Sequence, residues 1–135
     1  MTKKPKVIVL RTAGTNCDEE TAFAFKSFGA DVDRIHITKL FKGEVKLSDY
    51  HIMAIPGGFT YGDDIESGRI LANELKIHLG EEISRFVKDG KLIIGICNGF
   101  QVLVKAGFLP GFENNESGAP KQTATLVSND SGKFE

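Results

Sequence analysis

Leu92-Ile93-Ile94-Gly95-Ile96-Cys97-Asn98-Gly99-Phe100-Gln101 is the stretch whose reading decides the fold. The run LIIGI reads as a buried parallel strand, the most buried of the chain. Asn98 to Ala106 reads as a helix closed by Gly107. Cys97 therefore stands at a strand-to-helix turn, with glycines two residues before it and two after it. A nucleophile presented on so sharp a turn has little room on either side, and Gly95 and Gly99 supply that room. The helix start directs partial positive charge at the side chain. The amide of Asn98, the residue after the nucleophile, is the usual donor to a developing oxyanion. The competing reading is a packing cysteine in an apolar strand, a common fate of free cysteine. The flanking glycines favour the nucleophile.

Working outward, Lys6–Thr12 (KVIVLRT) reads as a first strand, ended by the loop Ala13-Gly14-Thr15. Asn16, three residues before Glu19, predicts a capping box and a helix to Phe28, with Thr21, Phe25 and Phe28 on one side and Gly29 as its stop. Asp31–Ile37 alternates and predicts a strand with one face less buried. Thr38–Ser48 reads as a loop or short helical turn, and His51–Ile55 as a third strand running into Pro56-Gly57-Gly58. Leu71, Leu75 and Leu79 mark a helix closed by Gly80; Ile83, Phe86 and Val87 mark another, ended by Gly90. Phe112–Gln122 reads as a polar loop, Thr123–Val127 as an alternating run and Ser128–Gly132 as a turn. Lys133-Phe134-Glu135 reads as the beginning of a further strand. The order is that of an α/β domain with a mostly parallel sheet flanked by helices, one unit over residues 1–135. Such sheets bind ligands beyond the carboxyl ends of their strands, which singles out loops 13–18, 56–64 and 95–99.

Composition bounds the function. With 17 Lys+Arg against 18 Asp+Glu, the chain lacks the basic excess of a nucleic-acid or membrane-surface binder. No apolar run is long enough for a transmembrane helix, and the four apolar residues in MTKKPKVIVLR are too few for a secretory segment. Two cysteines, Cys17 and Cys97, make no disulfide framework, so a reducing cytoplasm is expected.

Other candidates carry less. The consecutive glycines Gly57 and Gly58 let backbone approach a ligand and aim a second oxyanion amide, although an ordinary tight turn would use them too. The loops contain neither a phosphate-loop nor a dinucleotide-binding glycine pattern. Asp63 and Asp64 are adjacent and lack neighbouring ligands at metal spacing, so no metal is expected. Cys17 is assigned to packing. His36 lies in the second strand, His51 opens the third at its amino end, and His78 sits late on a helix, so none is a convincing base.

Gly95-Ile96-Cys97-Asn98-Gly99-Phe100-Gln101, preceded by Pro56-Gly57-Gly58-Phe59-Thr60-Tyr61-Gly62-Asp63, resembles the class I, triad-type glutamine amidotransferases. The chain is most similar to the glutaminase subunits of phosphoribosylformylglycinamidine synthases. Gly14-Thr15-Asn16-Cys17-Asp18 and Ser131-Gly132-Lys133-Phe134 match their pattern too, so the resemblance covers essentially the whole chain. It implies a flavodoxin-like sheet and an attack by Cys97 on the side-chain amide of glutamine, through a γ-glutamyl thioester, releasing ammonia and then glutamate. The amides of Asn98 and Gly58 would form the oxyanion hole. Gln101, Gly57 and Phe59 would hold the substrate, and Ser131, Gly132 and Lys133 would border its amino-acid end. The subunit itself would need no cofactor. Its partners would be a large synthetase subunit, using ATP and Mg²⁺ to amidate formylglycinamide ribonucleotide in purine biosynthesis, and a small third subunit.

The departure from that pattern lies downstream. The family's triad continues from Cys to a His and a Glu well beyond it, yet no His follows His78, and Glu113, Glu116 and Glu135 come too early. The C-terminal part that carries the base is therefore expected to be missing, leaving a poor glutaminase, slower by about 10²–10⁴-fold. Two other classes compete. A PfpI-type cysteine hydrolase shares the elbow, but commonly has His where Asn98 stands. A non-catalytic binding or regulatory subunit would keep the elbow without the chemistry.

Overall fold

A computed structural model describes residues 3–58, 67–111 and 120–134. The elements are β1 (Lys6–Arg11), α1 (Asp18–Ser27), β2 (Asp31–His36), α2 (Ile37–Phe41), a 3-10 turn (Leu47–Asp49), β3 (Ile52–Ile55), α3 (Ser67–Lys88), β4 (Leu92–Gly95) and α4 (Asn98–Lys105). The strands form one sheet in the order β2-β1-β3-β4, every neighbouring pair parallel. This is a doubly wound α/β arrangement, as the alternation of strands and helices predicts. The winding direction reverses between β1 and β3, so their carboxyl ends flank the switch point where such sheets bind ligands.

β1 is central because all of Val7, Ile8, Val9 and Leu10 can be buried. Ile8 and Leu10 join the larger core, with Met53 and Ile55 and with residues of α2, α3 and α4. Val7 and Val9 face the other way, against Ala22 and Phe25 of α1. The alternation is the pleat expressed as two cores.

Four local expectations are corrected. First, α1 starts after Cys17, not Asn16, and Cys17 makes no side-chain cap bond. The Cys17 amide donates instead to the Gly57 carbonyl (3.3 Å), so a tertiary contact overrides the local capping box. Phe28, placed on the buried side by spacing, lies past the helix end and is exposed. Second, Gly80 does not close a helix. Leu71, Leu75, Leu79, Ile83 and Phe86 form one buried seam along a single α3, and Gly90, at positive φ, ends it. Burial of that seam outweighs the roughly 1 kcal/mol cost of an interior glycine. Third, β4 is not the most buried strand. It is an edge, and Leu92 and Ile94 are 63% and 42% exposed. Ile52 and Ala54 pair with these two residues, which share the α1 face of the sheet; α1 packs chiefly on β1 and β2, and Leu92 and Ile94 stay exposed. Fourth, Lys133-Phe134 begins no strand, and Phe134 is fully exposed; Glu135 lies outside the described residues, and the alternating run Thr123–Val127 is without regular structure. The turn within Ser128–Gly132 is present, closed by the Gly132 amide on the Asn129 carbonyl (2.9 Å). Most of the polar loop 112–122 lies outside the described residues.

Tyr50 gives the fold an alkaline limit. Its ring is buried and its hydroxyl donates to Asp33 Oδ2 at 2.8 Å. Burial first, and then this bond to a carboxylate, push the phenol well above its ordinary value of 10. The unfolded chain therefore loses this proton first. Stability is full below pH 10 and falls above it, by up to about 1.4 kcal/mol per pH unit. Urea unfolding across this range should show the decline, and Tyr50→Phe should flatten it.

Candidate active site

The elbow is present in the backbone. Cys97 adopts φ 53° and ψ −111° as the N-cap of α4, the only non-glycine at positive φ among the described residues. This conformation costs of order 1–3 kcal/mol for a residue with a Cβ, and strain of this kind clusters at functional sites. It points the thiol outward: Cys97 is exposed, which removes the packing reading.

The flanking glycines are required by space. A Cβ on Gly95 would lie 2.6 Å from the Gly99 carbonyl oxygen and 2.7 Å from Leu103 Cδ1. A Cβ on Gly99 would overlap the Ile55 carbonyl oxygen. The end of β4, the start of α4 and the end of β3 thus touch backbone to backbone, tied by the Ile96 amide on the Ile55 carbonyl (3.1 Å).

Three loops meet here, those at the ends of β1, β3 and β4. Gly57 is buried beside the nucleophile, where a Cβ would be 3.3 Å from Cys97 Cβ. Gly58, at φ 131°, bridges to Thr15, and a Cβ on it would meet the Asn16 amide nitrogen at 2.5 Å. The Gly14–Cys17 loop therefore buttresses the glycine pair that lies against Cys97. Phe59, Asp63 and Asp64 lie outside the described residues.

Sequence reasoning missed what holds that buttress. Asp18 is 5% exposed and sits between two guanidinium groups, Arg11 Nε at 2.9 Å and Arg34 Nη1 at 3.1 Å. Arg34 also reaches Glu19 at 2.9 Å, and its pKa is raised, first by that hydrogen bond. A buried carboxylate is tolerated only when paired in this way. The signal was the acidic first turn of α1, but its partners come from two other elements. Cys17 itself is exposed rather than packed.

On α4, the Gly99 amide is engaged by the Ile96 carbonyl (2.9 Å) and the Gln101 amide by the Cys97 carbonyl (3.2 Å). Asn98 Nδ2 donates to Gln101 Oε1 at 3.4 Å. Gln101 is half-buried, one turn past the nucleophile, and lines a cavity with Lys105, Leu126, Val127 and Ser128. Ser131, Gly132 and Lys133 form an exposed turn whose hydrogen bonds, among the described residues, are internal. The structure does not bring these three to Cys97.

Each histidine has another role. His51 Nδ1 accepts from the Lys6 amide (2.9 Å) at the amino end of the sheet, and His78 stacks on Phe41 at 4.6 Å between ring centroids. His36 caps α2 at the end of β2, three strand spacings from β4, roughly 14 Å. The described residues contain no cluster able to hold a metal ion and no helix long and apolar enough to cross a membrane.

A doubly wound sheet with a strained, exposed cysteine at a strand-to-helix elbow places a thiol at the carboxyl edge of the sheet. The chain belongs to the CobB/CobQ-like glutamine amidotransferase domain family, whose model matches residues 4–135. It is 52% identical to the phosphoribosylformylglycinamidine synthase subunit PurQ of Dehalococcoides mccartyi, over 98% of this chain and 50% of that protein. It is 44% identical to the PurQ subunit of Methanococcus maripaludis, over 97% of this chain and 47% of that one. Among solved structures it superposes on PurLQS from Thermotoga maritima with a TM-score of 0.71 and 33% identity, covering 97% of this chain and 51% of that one. The chain thus spans about half the length of the relatives it matches.

Proposed function

We propose that this chain is the nucleophile-bearing part of a glutaminase that supplies ammonia for phosphoribosylformylglycinamidine synthesis. The observation that carries the reading is the Cys97 elbow, strained, exposed and enclosed by Gly57, Gly95 and Gly99. Cys97 Sγ attacks the side-chain carbonyl carbon of glutamine; the C–N bond breaks, and ammonia leaves with the thiol proton. Water then cleaves the thioester, releasing glutamate and restoring the thiol. The Asn98 amide, first in α4 and upstream of the engaged Gly99 amide, serves as one oxyanion donor, and the Gly58 amide as the other. Gln101, Gly57 and Phe59 hold the substrate.

The base for these proton transfers is not among His36, His51 and His78. We assign it to a part of the protein outside residues 1–135. The half-length match and the uncovered side chains of Leu92 and Ile94 support this. The partners proposed are a large ATP- and Mg²⁺-dependent synthetase subunit and a small third subunit, in the cytoplasm; the structural likeness to PurLQS of Thermotoga maritima supports them.

The test is labelling of the intact gene product with a glutamine-analogue diazoketone. An S–C bond forms, N₂ leaves and the thiol proton ends on the new methylene. Peptide mapping should place the label on Cys97, with glutamine protecting it. Label confined to Cys17 would overturn the assignment.

A further inference from the structure

Asn98 is 7% exposed, yet its Oδ1 is fully buried with no hydrogen-bond partner. An orphaned buried carbonyl is costly, and a position that served only to pack would carry an apolar side chain. Nor does helix propensity explain it, since asparagine is an indifferent helix former. What the side chain does engage is Gln101: Nδ2 donates to Oε1 across one turn of α4, the i to i+3 spacing that brings side chains together. The Gln101 amide nitrogen in turn donates to the Cys97 carbonyl, so nucleophile, Asn98 and Gln101 share a single turn.

A carboxamide has one accepting end and one donating end. With Oε1 of Gln101 engaged by Asn98, the terminal amide is held in one orientation, and its wholly unengaged end is the Nε2 group, which carries two donors. Gln101 so held favours a carbonyl or carboxylate oxygen over an N–H. Left unclamped, the terminal amide could turn over and present its acceptor instead.

We propose that Asn98 is a positioning residue: its side-chain amide fixes Gln101 as a hydrogen-bond donor toward the oxygen atoms of the substrate. The proposal rests on the glutaminase reading and assigns to Asn98 a role separate from that of its backbone amide. Asn98 then governs how well substrate is held rather than how fast the thiol reacts.

A double-variant cycle on diazoketone labelling of Cys97 in the intact gene product tests this, with half-saturating concentration and limiting rate measured separately. Asn98→Ala is expected to raise the half-saturating concentration about 10-fold, with the effect falling there and not on the limiting rate. In a Gln101→Ala background the same change should add less than about 2-fold, because the residue it acts through is gone. Asn98→Asp covers the case in which alanine at this position fails to fold. It keeps the shape but has no N–H for Oε1, so half-saturation should rise as well. A full effect of either Asn98 variant in the Gln101→Ala background, or an effect confined to the limiting rate, would overturn the proposal. Parent protein that labels at Cys97 without saturation or protection by glutamine would instead overturn the glutaminase reading, and this proposal with it.

Discussion

Replacing Cys97 by alanine should lower glutamine hydrolysis by the intact gene product at least about 10³-fold, since the covalent route is lost rather than weakened. The fold should survive, because Cys97 is exposed and its side chain accepts no cap bond in α4. A companion variant separates chemistry from strain. At φ 53° and ψ −111°, alanine keeps the backbone penalty while glycine removes it. Cys97→Gly should therefore be equally inactive but more stable than Cys97→Ala, by about 1 kcal/mol after glycine's larger unfolded-state entropy is subtracted. Ammonia release and urea unfolding on the two variants check both parts. Retained hydrolysis in either variant would remove Cys97 from the mechanism.

The second large effect is on stability. Gly99→Ala places a methyl group against the Ile55 carbonyl oxygen, with the Ile55 carbonyl carbon at 2.8 Å and its Cβ at 3.1 Å. None of these is the flexible end of a side chain, so β3 and α4 must separate and the Ile96–Ile55 hydrogen bond with them. The expected loss is about 3 kcal/mol or more, a fall in Tm of roughly 10 °C. Gly80→Ala is the informative contrast. That glycine lies inside α3, its nearest neighbour is Pro120 Cδ at 4.0 Å, and the change should stabilise by up to about 1 kcal/mol. Thermal unfolding of the pair therefore tests two opposite outcomes of one substitution type. Destabilisation at Gly80 comparable to that at Gly99 would contradict the packing described.

Much of the site was legible in the sequence because its cause is local. A nucleophile between a buried strand and a helix needs small neighbours at fixed offsets, and Gly95, Cys97 and Gly99 carry that spacing within five positions. The resemblance to triad-type glutamine amidotransferases draws on the same run, Gly95–Gln101, together with Pro56–Asp63. The parallel α/β class was likewise readable, since the alternation of β-branched runs with helical seams is a property of the chain itself.

What the sequence could not weigh was competition between a local preference and a distant contact. Asn16 lost its cap role because the Cys17 amide was drawn to Gly57, and Gly80 stayed helical because the Leu71–Phe86 seam is buried against the core. The LIIGI run shows the same limit: an apolar run does not say whether its strand is central or an edge, and among the described residues β4 has a neighbour on one side only. The amino-acid sequence by itself determined the class of fold and the position of the Cys97 elbow, which are set by periodicity and by spacing within a single turn. Only the tertiary structure decided which glycines cannot be replaced, how Asp18 is neutralised and that Asn98 grips Gln101. Each of these depends on atoms brought together by packing, or on the direction of a side chain, and neither is written in the order of residues.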